Sequence, residues 1–211
     1  MTPPIPQILH FVWVGGVMPP LYASWVEGWR SLHPDWDVVV WGEDELAAFG
    51  LRNQSLVDAA HRIAPGSVGQ FVSDVARYEI VHRHGGVYLD CDFEPRKSLD
   101  CLLSDEWAAW ETDGHWLANG CFGAAVGSEW LESLITALPE NVAAKRGRRP
   151  NHLSGPRFYT PITLQHGISC LPSTAFCPYR WDELERGGED FPDSFGVHHW
   201  NNQRTKQGVP L

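Results

Sequence analysis

No apolar run in this 211-residue chain approaches the length of a membrane-spanning helix. The first residues carry neither a basic stretch nor a small-residue cleavage site, so no secretory leader is expected. Close C-x-x-C pairs are missing as well. The five cysteines (Cys91, Cys101, Cys121, Cys170 and Cys177) are odd in number and scattered. They read as reduced thiols in a cytoplasmic protein rather than a disulfide framework. Positive charge is scarce: 16 Lys and Arg against 26 Asp and Glu leave a net charge of −10. That balance argues against general nucleic-acid binding, and it means that a bound nucleotide's phosphates would need a local cation. Internal repeats and low-complexity linkers are absent, so residues 1–211 are expected to form one domain with a full core. Hydrophobic content of 43% is ordinary, whereas 11 Trp and 12% aromatics are high and suit a site for sugars or bases.

The most informative stretch is FVSDVARYEIVHRHGGVYLDCDFE, Phe71 to Glu94. Its first part continues a helical pattern from about Val68 to His84. Gly85-Gly86 ends that helix, because glycine takes the left-handed conformation without a Cβ penalty. Val87 to Leu89 form a short strand. Asp90 and Asp92 flank Cys91 where the strand runs out. Alternation along an extended chain puts both carboxylates on one side. Two carboxylates that close repel unless a cation sits between them. A hard divalent ion, Mn²⁺ or Mg²⁺, takes such oxygen ligands and keeps positions open for phosphates. Ser73, Asp74 and Arg77 share an arc of about 100° on the helix, surrounded by apolar residues. They would pair with one another or hold a polyhydroxyl ligand, since buried polar groups need partners.

SDVARYEIVHRHGGVYLDCDFEP resembles the signature of the DXD-containing sugar-binding glycosyltransferases. That family includes initiating mannosyltransferases, capsule and lipopolysaccharide transferases and, more distantly, the glucosylating bacterial cytotoxins. Ser73, Asp74, Arg77, Tyr78, Gly85, Gly86, Tyr88, Asp90 and Asp92 match in register. The resemblance implies a GT-A-type, Rossmann-like α/β fold with a mixed, mainly parallel sheet between helices. It implies that Asp90 and Asp92 bind the metal, and that Asp74, Arg77, Ser73 and Tyr88 serve the donor and the transfer. The opening IPQILHFVWVGG also resembles the family's first strand, which makes Val12 and Trp13 the base-holding pair and favours a UDP-sugar, with a GDP-sugar as the alternative. Asn119, in Asn119-Gly120, resembles a small polar step near the donor sugar; a turn asparagine is the equal alternative. The tail GVHHWNN resembles a closing segment that supplies a further metal ligand, here His198, with His199 as alternate. The family's Ser-Trp after it is replaced by Gln203 and Arg204, and Arg204 becomes the candidate phosphate contact.

Gln7 to Val14 reads as a buried first strand, followed by a helix from about Leu21 to Leu32 and a strand from Asp37 to Trp41. Strand, helix, strand in that order starts a parallel sheet, whose ligands sit beyond the carboxyl ends. Helices are expected over Glu43–Phe49 and Ser55–Ala64, and strands over Trp107–Glu111 and Asn119–Val126 with a turn at Asp113-Gly114. Ser128 caps a helix to about Ala144 that Pro139 should break. Lys145, Arg146, Arg148 and Arg149 form the basic cluster, read as a solvated loop that could also face an anionic acceptor. Helix-like PRFYTPITLQHG follows, then short β stretches at Ile168–Leu171 and Ala175–Tyr179. His198 and Trp200 are placed by alternation on one extended segment.

The expected activity is therefore transfer of a sugar from a nucleotide-sugar donor to a glycan, lipid-linked or other hydroxyl acceptor, with retention of configuration. Peripheral association with the inner face of a membrane is compatible with it. Two other classes stay open. VYLDCDFE resembles the Asp-x-Asp of haloacid-dehalogenase-type phosphatases, although Glu94 stands where Thr or Val is expected. A non-catalytic, metal-dependent carbohydrate-binding module would explain the acids and aromatics but not the Trp13 strand or the Ser73–Arg77 helix.

Overall fold

The computed structural model describes residues 4–201 and Gly208. Its centre is a six-stranded sheet. In chain order the strands are β1 (Ile8–Val12), β2 (Asp37–Trp41), β3 (Gly86–Leu89), β5 (Trp107–Thr112), β6 (Trp116–Ala124) and β7 (Ser169–Leu171). A two-stranded ribbon pairs β4 (Phe93–Pro95) with β8 (Gly196–His198). The sheet order is β2-β1-β3-β6-β5-β7. β1 is parallel to β2 and β3, and β5 to β7, while β6 is antiparallel to both its neighbours. The mixed, mainly parallel α/β sheet expected from the sequence is therefore present.

Helices cover both faces, as the unbroken apolar strands require. All four residues of β3 are buried; Tyr88 joins the core under helices α5 (Val68–His84), α6 (Glu129–Ala144) and α8 (Pro156–Gln165), and Leu89 joins the core under α1 (Pro20–Leu32). α5 runs over the expected span and is buried nearly all round, so its polar residues are interior residues. Gly85 closes it with φ +64°, and at Gly86, φ +102°, a Cβ would lie 2.5 Å from the Ile8 carbonyl oxygen. Only glycine lets β3 enter the sheet beside β1 so soon after the helix.

Several elements differ from the sequence reading. The Ser55–Ala64 helix is two short helices, α3 (Gln54–Asp58) and α4 (Ala60–Ile63), after α2 (Glu43–Phe49). α6 runs through Pro139 unbroken. Proline removes the N–H that would bond the Ile135 carbonyl. The amide of Asn53 supplies that bond instead, at 3.1 Å. Ala175–Tyr179 is no strand: a 3₁₀ turn occupies Ser173–Ala175, and the Ala175 and Phe176 carbonyls accept single bonds from Phe195 and His198 N–H. The extended run at the end stops at His198, since Trp200 has φ +55°. Among the described residues no helix is long and apolar enough to cross a membrane.

Candidate active site

The site forms beyond the carboxyl ends of β1 and β3, where a doubly wound sheet leaves a crevice. Arg77 is its hub and is buried. Its Nε donates to the Ser73 carbonyl (3.0 Å), and Nη2 to Ser73 Oγ (2.9 Å). Nη1 donates to the Asn119 carbonyl at 2.7 Å. Nη2 also lies 3.0 Å from both Asp74 Oδ1 and Asp90 Oδ1. The guanidinium stacks over the Tyr88 ring, 4.6 Å from its centroid, and the Tyr88 hydroxyl donates to Asp90 Oδ1 at 2.8 Å. A planar fork with five donors meets these partners; an ammonium would not. Burial alone would lower the Arg77 pKa, but Asp90, Tyr88 and Asp74 outweigh it and raise it further.

Asp74 is held from three sides. Asn119 Nδ2 donates to Oδ1 and Ser154 Oγ to Oδ2, each at 2.8 Å, and Arg77 neutralises it. Burial still raises its pKa above the usual carboxylate value. Asn119 spends its remaining amide hydrogen on the Tyr78 hydroxyl (3.2 Å), which donates to the Ser154 carbonyl at 2.6 Å. Its Oδ1 takes no hydrogen bond among the described residues. The Gly-Pro segment at Ser154-Gly155-Pro156 is thereby tied to the acidic motif, a link that spacing in the chain could not reveal.

Asp90 and Asp92 diverge in role. Asp90 is fixed by Arg77 and Tyr88, and its N–H donates to the Gly120 carbonyl at 2.8 Å. Asp92 faces His198, Oδ1 to Nε2 3.3 Å, and accepts the Asn201 N–H at 3.3 Å. Burial pushes the Asp92 pKa up, yet His198 and the backbone amides outweigh it and hold it low; His198 is correspondingly raised by Asp92 against its own burial. The His198 ring stacks on Phe93 at 4.4 Å. Its Nδ1 and the side-chain amide of Asn201 are buried with no hydrogen-bond partner among the described residues. Asn201 was not anticipated; its burial beside the acidic motif could not be read from an Asn-Asn pair. His199 is occupied elsewhere, by Glu94 (2.8 Å), Tyr179 (3.0 Å) and a stack on Trp25. His198 is thus the histidine that faces the motif.

Among the described residues no three metal-ligating side chains converge. The donor set nonetheless suits Mn²⁺ or Mg²⁺: two carboxylates one residue apart, an imidazole facing one of them, and a buried polar amide without a partner beside them.

Val12 ends β1, and Trp13 follows it directly. Val12 is buried and its carbonyl accepts the Cys91 thiol at 3.6 Å, joining β1 to the motif. Trp13 is half-buried, donates to the Gly16 carbonyl at 2.9 Å and meets Tyr22 edge-on at 5.5 Å. It packs against the core under α1 without being sealed into it. Arg204 lies outside the described residues. Lys145, Arg146, Arg148 and Arg149 are exposed and have no acidic partner among the described residues.

The family described as "Glycosyltransferase sugar-binding region containing DXD motif" matches residues 19–110, which include α1, α5 and Asp90-Cys91-Asp92. Residues 19–110 thus resemble a glycosyltransferase sugar-binding region. Inositol phosphoceramide mannosyltransferase 3 of Schizosaccharomyces pombe is 28% identical over 137 residues, 64% of this chain and 37% of that protein. Lactosylceramide 4-alpha-galactosyltransferase of Mus musculus is 28% identical over 176 residues, 73% of this chain and 46% of that protein. The chain therefore spans about a third to a half of the length of these curated relatives. Among solved structures, PaToxG glycosyltransferase superposes with a TM-score of 0.64 at 14% identity, covering 78% of this chain and 71% of that one. The fold is accordingly of the GT-A glycosyltransferase type, and the sugar-binding region supplies its acidic motif and the helix behind it.

Proposed function

We propose that this chain is a metal-dependent glycosyltransferase. It moves a hexose from a nucleotide sugar, UDP-linked by first choice and GDP-linked by second, to a hydroxyl of a glycan or lipid-linked acceptor with retention of configuration. The observation that carries the reading is the buried Ser73–Asp74–Arg77–Asp90 network, which fixes one carboxylate of the motif while Asp92 faces His198.

Each part has a task. Asp92 and His198, with Asp90 beside them, would hold Mn²⁺ or Mg²⁺, which when bound stabilises the charge growing on a diphosphate leaving group. Arg77 and Tyr88 keep Asp90 from turning away. Asn119 Oδ1 and the edge of the Asp74 network orient sugar hydroxyls. Trp13, half-buried just past the end of β1, would stack on the base. Transfer breaks the bond from the anomeric carbon to the diphosphate and forms one to the acceptor oxygen. The acceptor's proton passes to the departing phosphate oxygen, so no enzyme base is required. A phosphatase reading fits less well, because a nucleophilic Asp90 would have to leave both Arg77 and the Tyr88 hydroxyl.

The test is a thermal-shift titration with UDP and GDP, each with and without Mn²⁺. A ligand that binds only the folded state adds about 2.7 kcal/mol at one hundred times its dissociation constant. A metal-dependent shift with UDP is expected, and Asp92→Asn should weaken it by about tenfold or more in affinity. Absence of any shift at millimolar UDP or GDP would sink the reading.

A further inference from the structure

Glu111 is a half-buried carboxylate that the transfer described above does not use. It sits at an irregularity of β5. Trp110 pairs with Leu117 and Thr112 with Trp116, so two steps along β5 match one along β6 and Glu111 is the extra residue. Such a bulge re-aims a side chain, and bulges gather beside active sites. The same strand pair is irregular once more at Asn119–Cys121. There Ala108 pairs with Phe122 and Ala109 with Ala118, and the intervening stretch of β6 leans to β3 and the acidic motif instead. Two irregularities in one strand pair thus present Asn119-Gly120 and Glu111 to the same end of the sheet.

Glu111 has no hydrogen bond and no ion pair among the described residues. His198 lies within electrostatic reach of Glu111, and Glu111 acts in turn on the thiols of Cys121 and Cys177. Glu111 keeps some contact with solvent, and partial burial raises its pKa with no protein donor to offset the lost hydration. Holding such a group is unfavourable for folding. A fold that keeps one at its site departs from local optimality where a ligand needs it. The ligand follows from position. Asp92 and His198 mark the diphosphate end of the donor, and the hexose is bonded directly to that diphosphate. A hydroxyl-bearing ring is thus the group that comes within reach of Glu111.

We propose that Glu111 is a donor-binding residue whose carboxylate accepts a hydrogen bond from a hydroxyl of the hexose being transferred. The inference rests on the glycosyltransferase reading and adds a specificity contact to it. It is tested on the full chain with Glu111→Gln and Glu111→Ala. Affinities for UDP, UDP-glucose, UDP-galactose and, on the GDP branch, GDP and GDP-mannose are measured with Mn²⁺, beside the melting temperature. The variants should melt at or above the wild-type temperature, because no protein contact is lost. Bare nucleotide should bind within about twofold of wild type, whereas the extra affinity of the preferred sugar nucleotide should fall about tenfold, more in the Ala variant. An unchanged ratio of sugar nucleotide to nucleotide overturns the inference alone. So does a parallel loss of melting temperature and nucleotide affinity, the mark of a structural residue, or weaker binding of Mn²⁺ itself. A wild-type protein that binds neither UDP nor GDP overturns the transferase reading and this inference together.

Discussion

His10 shows how a single residue can set a pH limit far from the acidic motif. It is buried in β1, with Nε2 donating to the Gly85 carbonyl at 2.9 Å and Nδ1 accepting the Trp41 indole N–H at 3.2 Å. Both bonds suit the neutral ring. Burial pulls its pKa from 6.5 to about 4. Between those values the unfolded chain binds a proton that the folded chain refuses, so stability falls as pH falls and is fully present above 6.5. The loss attributable to this residue approaches ~3 kcal/mol by pH 4. Urea denaturation of wild type and His10→Gln from pH 7 to pH 4 should give a difference that shrinks by that order as pH drops. Parallel curves would show that His10 does not set the limit. Arg77 answers to a different constraint: its charge is set by the three acidic and phenolic groups around it, and its role is geometric.

At the scale of elements, close approach and substitution of backbone bonds decide what the strands and helices do. A Cβ on Gly120 would collide with Asp90 Oδ2 and stand 3.1 Å from its Cγ, and Asp90 cannot swing aside because Arg77 and Tyr88 hold it. Gly120→Ala should leave the sheet folded by circular dichroism yet abolish the metal-dependent nucleotide shift. Retained binding would mean that the motif relaxes freely. α6 gives the second case. Asn53 holds both Glu79 Oε1 (3.0 Å) and the Ile135 carbonyl that Pro139 leaves open. Asn53→Ala should cost ~2 kcal/mol, the range for orphaned buried groups. In a Pro139→Ala background the cost should be smaller, since the substituted alanine restores the helical N–H. A double-mutant cycle with no coupling would remove Asn53 from that role.

Across the whole molecule, the cysteines report on packing. All five are free; Cys101 is exposed, Cys170 is half-buried, and Cys91, Cys121 and Cys177 are buried with thiol pKa values raised by burial. A thiol-specific reagent at neutral pH should modify about one thiol per chain rapidly, and all five after unfolding in guanidinium. Rapid modification of three or more in the native protein would contradict the buried placement of the two core faces. Those faces also explain the polar hub: α5 packs against the sheet nearly all round, so its Asp74, Arg77 and Glu79 had to find partners inside.

The sequence by itself determined the α5–Gly-Gly–β3 unit, the placement of Asp90 and Asp92 at a strand end, and the α/β class. Each of these rests on local rules: helical period, glycine at positive φ, and alternation along a strand. The tertiary structure alone decided the rest. Ser154 on Asp74, Asn119 on Arg77, Asn201 beside Asp92 and the choice of His198 over His199 join residues 42 to 109 positions apart. The passage of α6 through Pro139 was equally illegible, since the bond that rescues it comes from Asn53, 82 residues from Ile135. Local propensity registers the donor that proline removes. Only packing brings another donor to the open carbonyl.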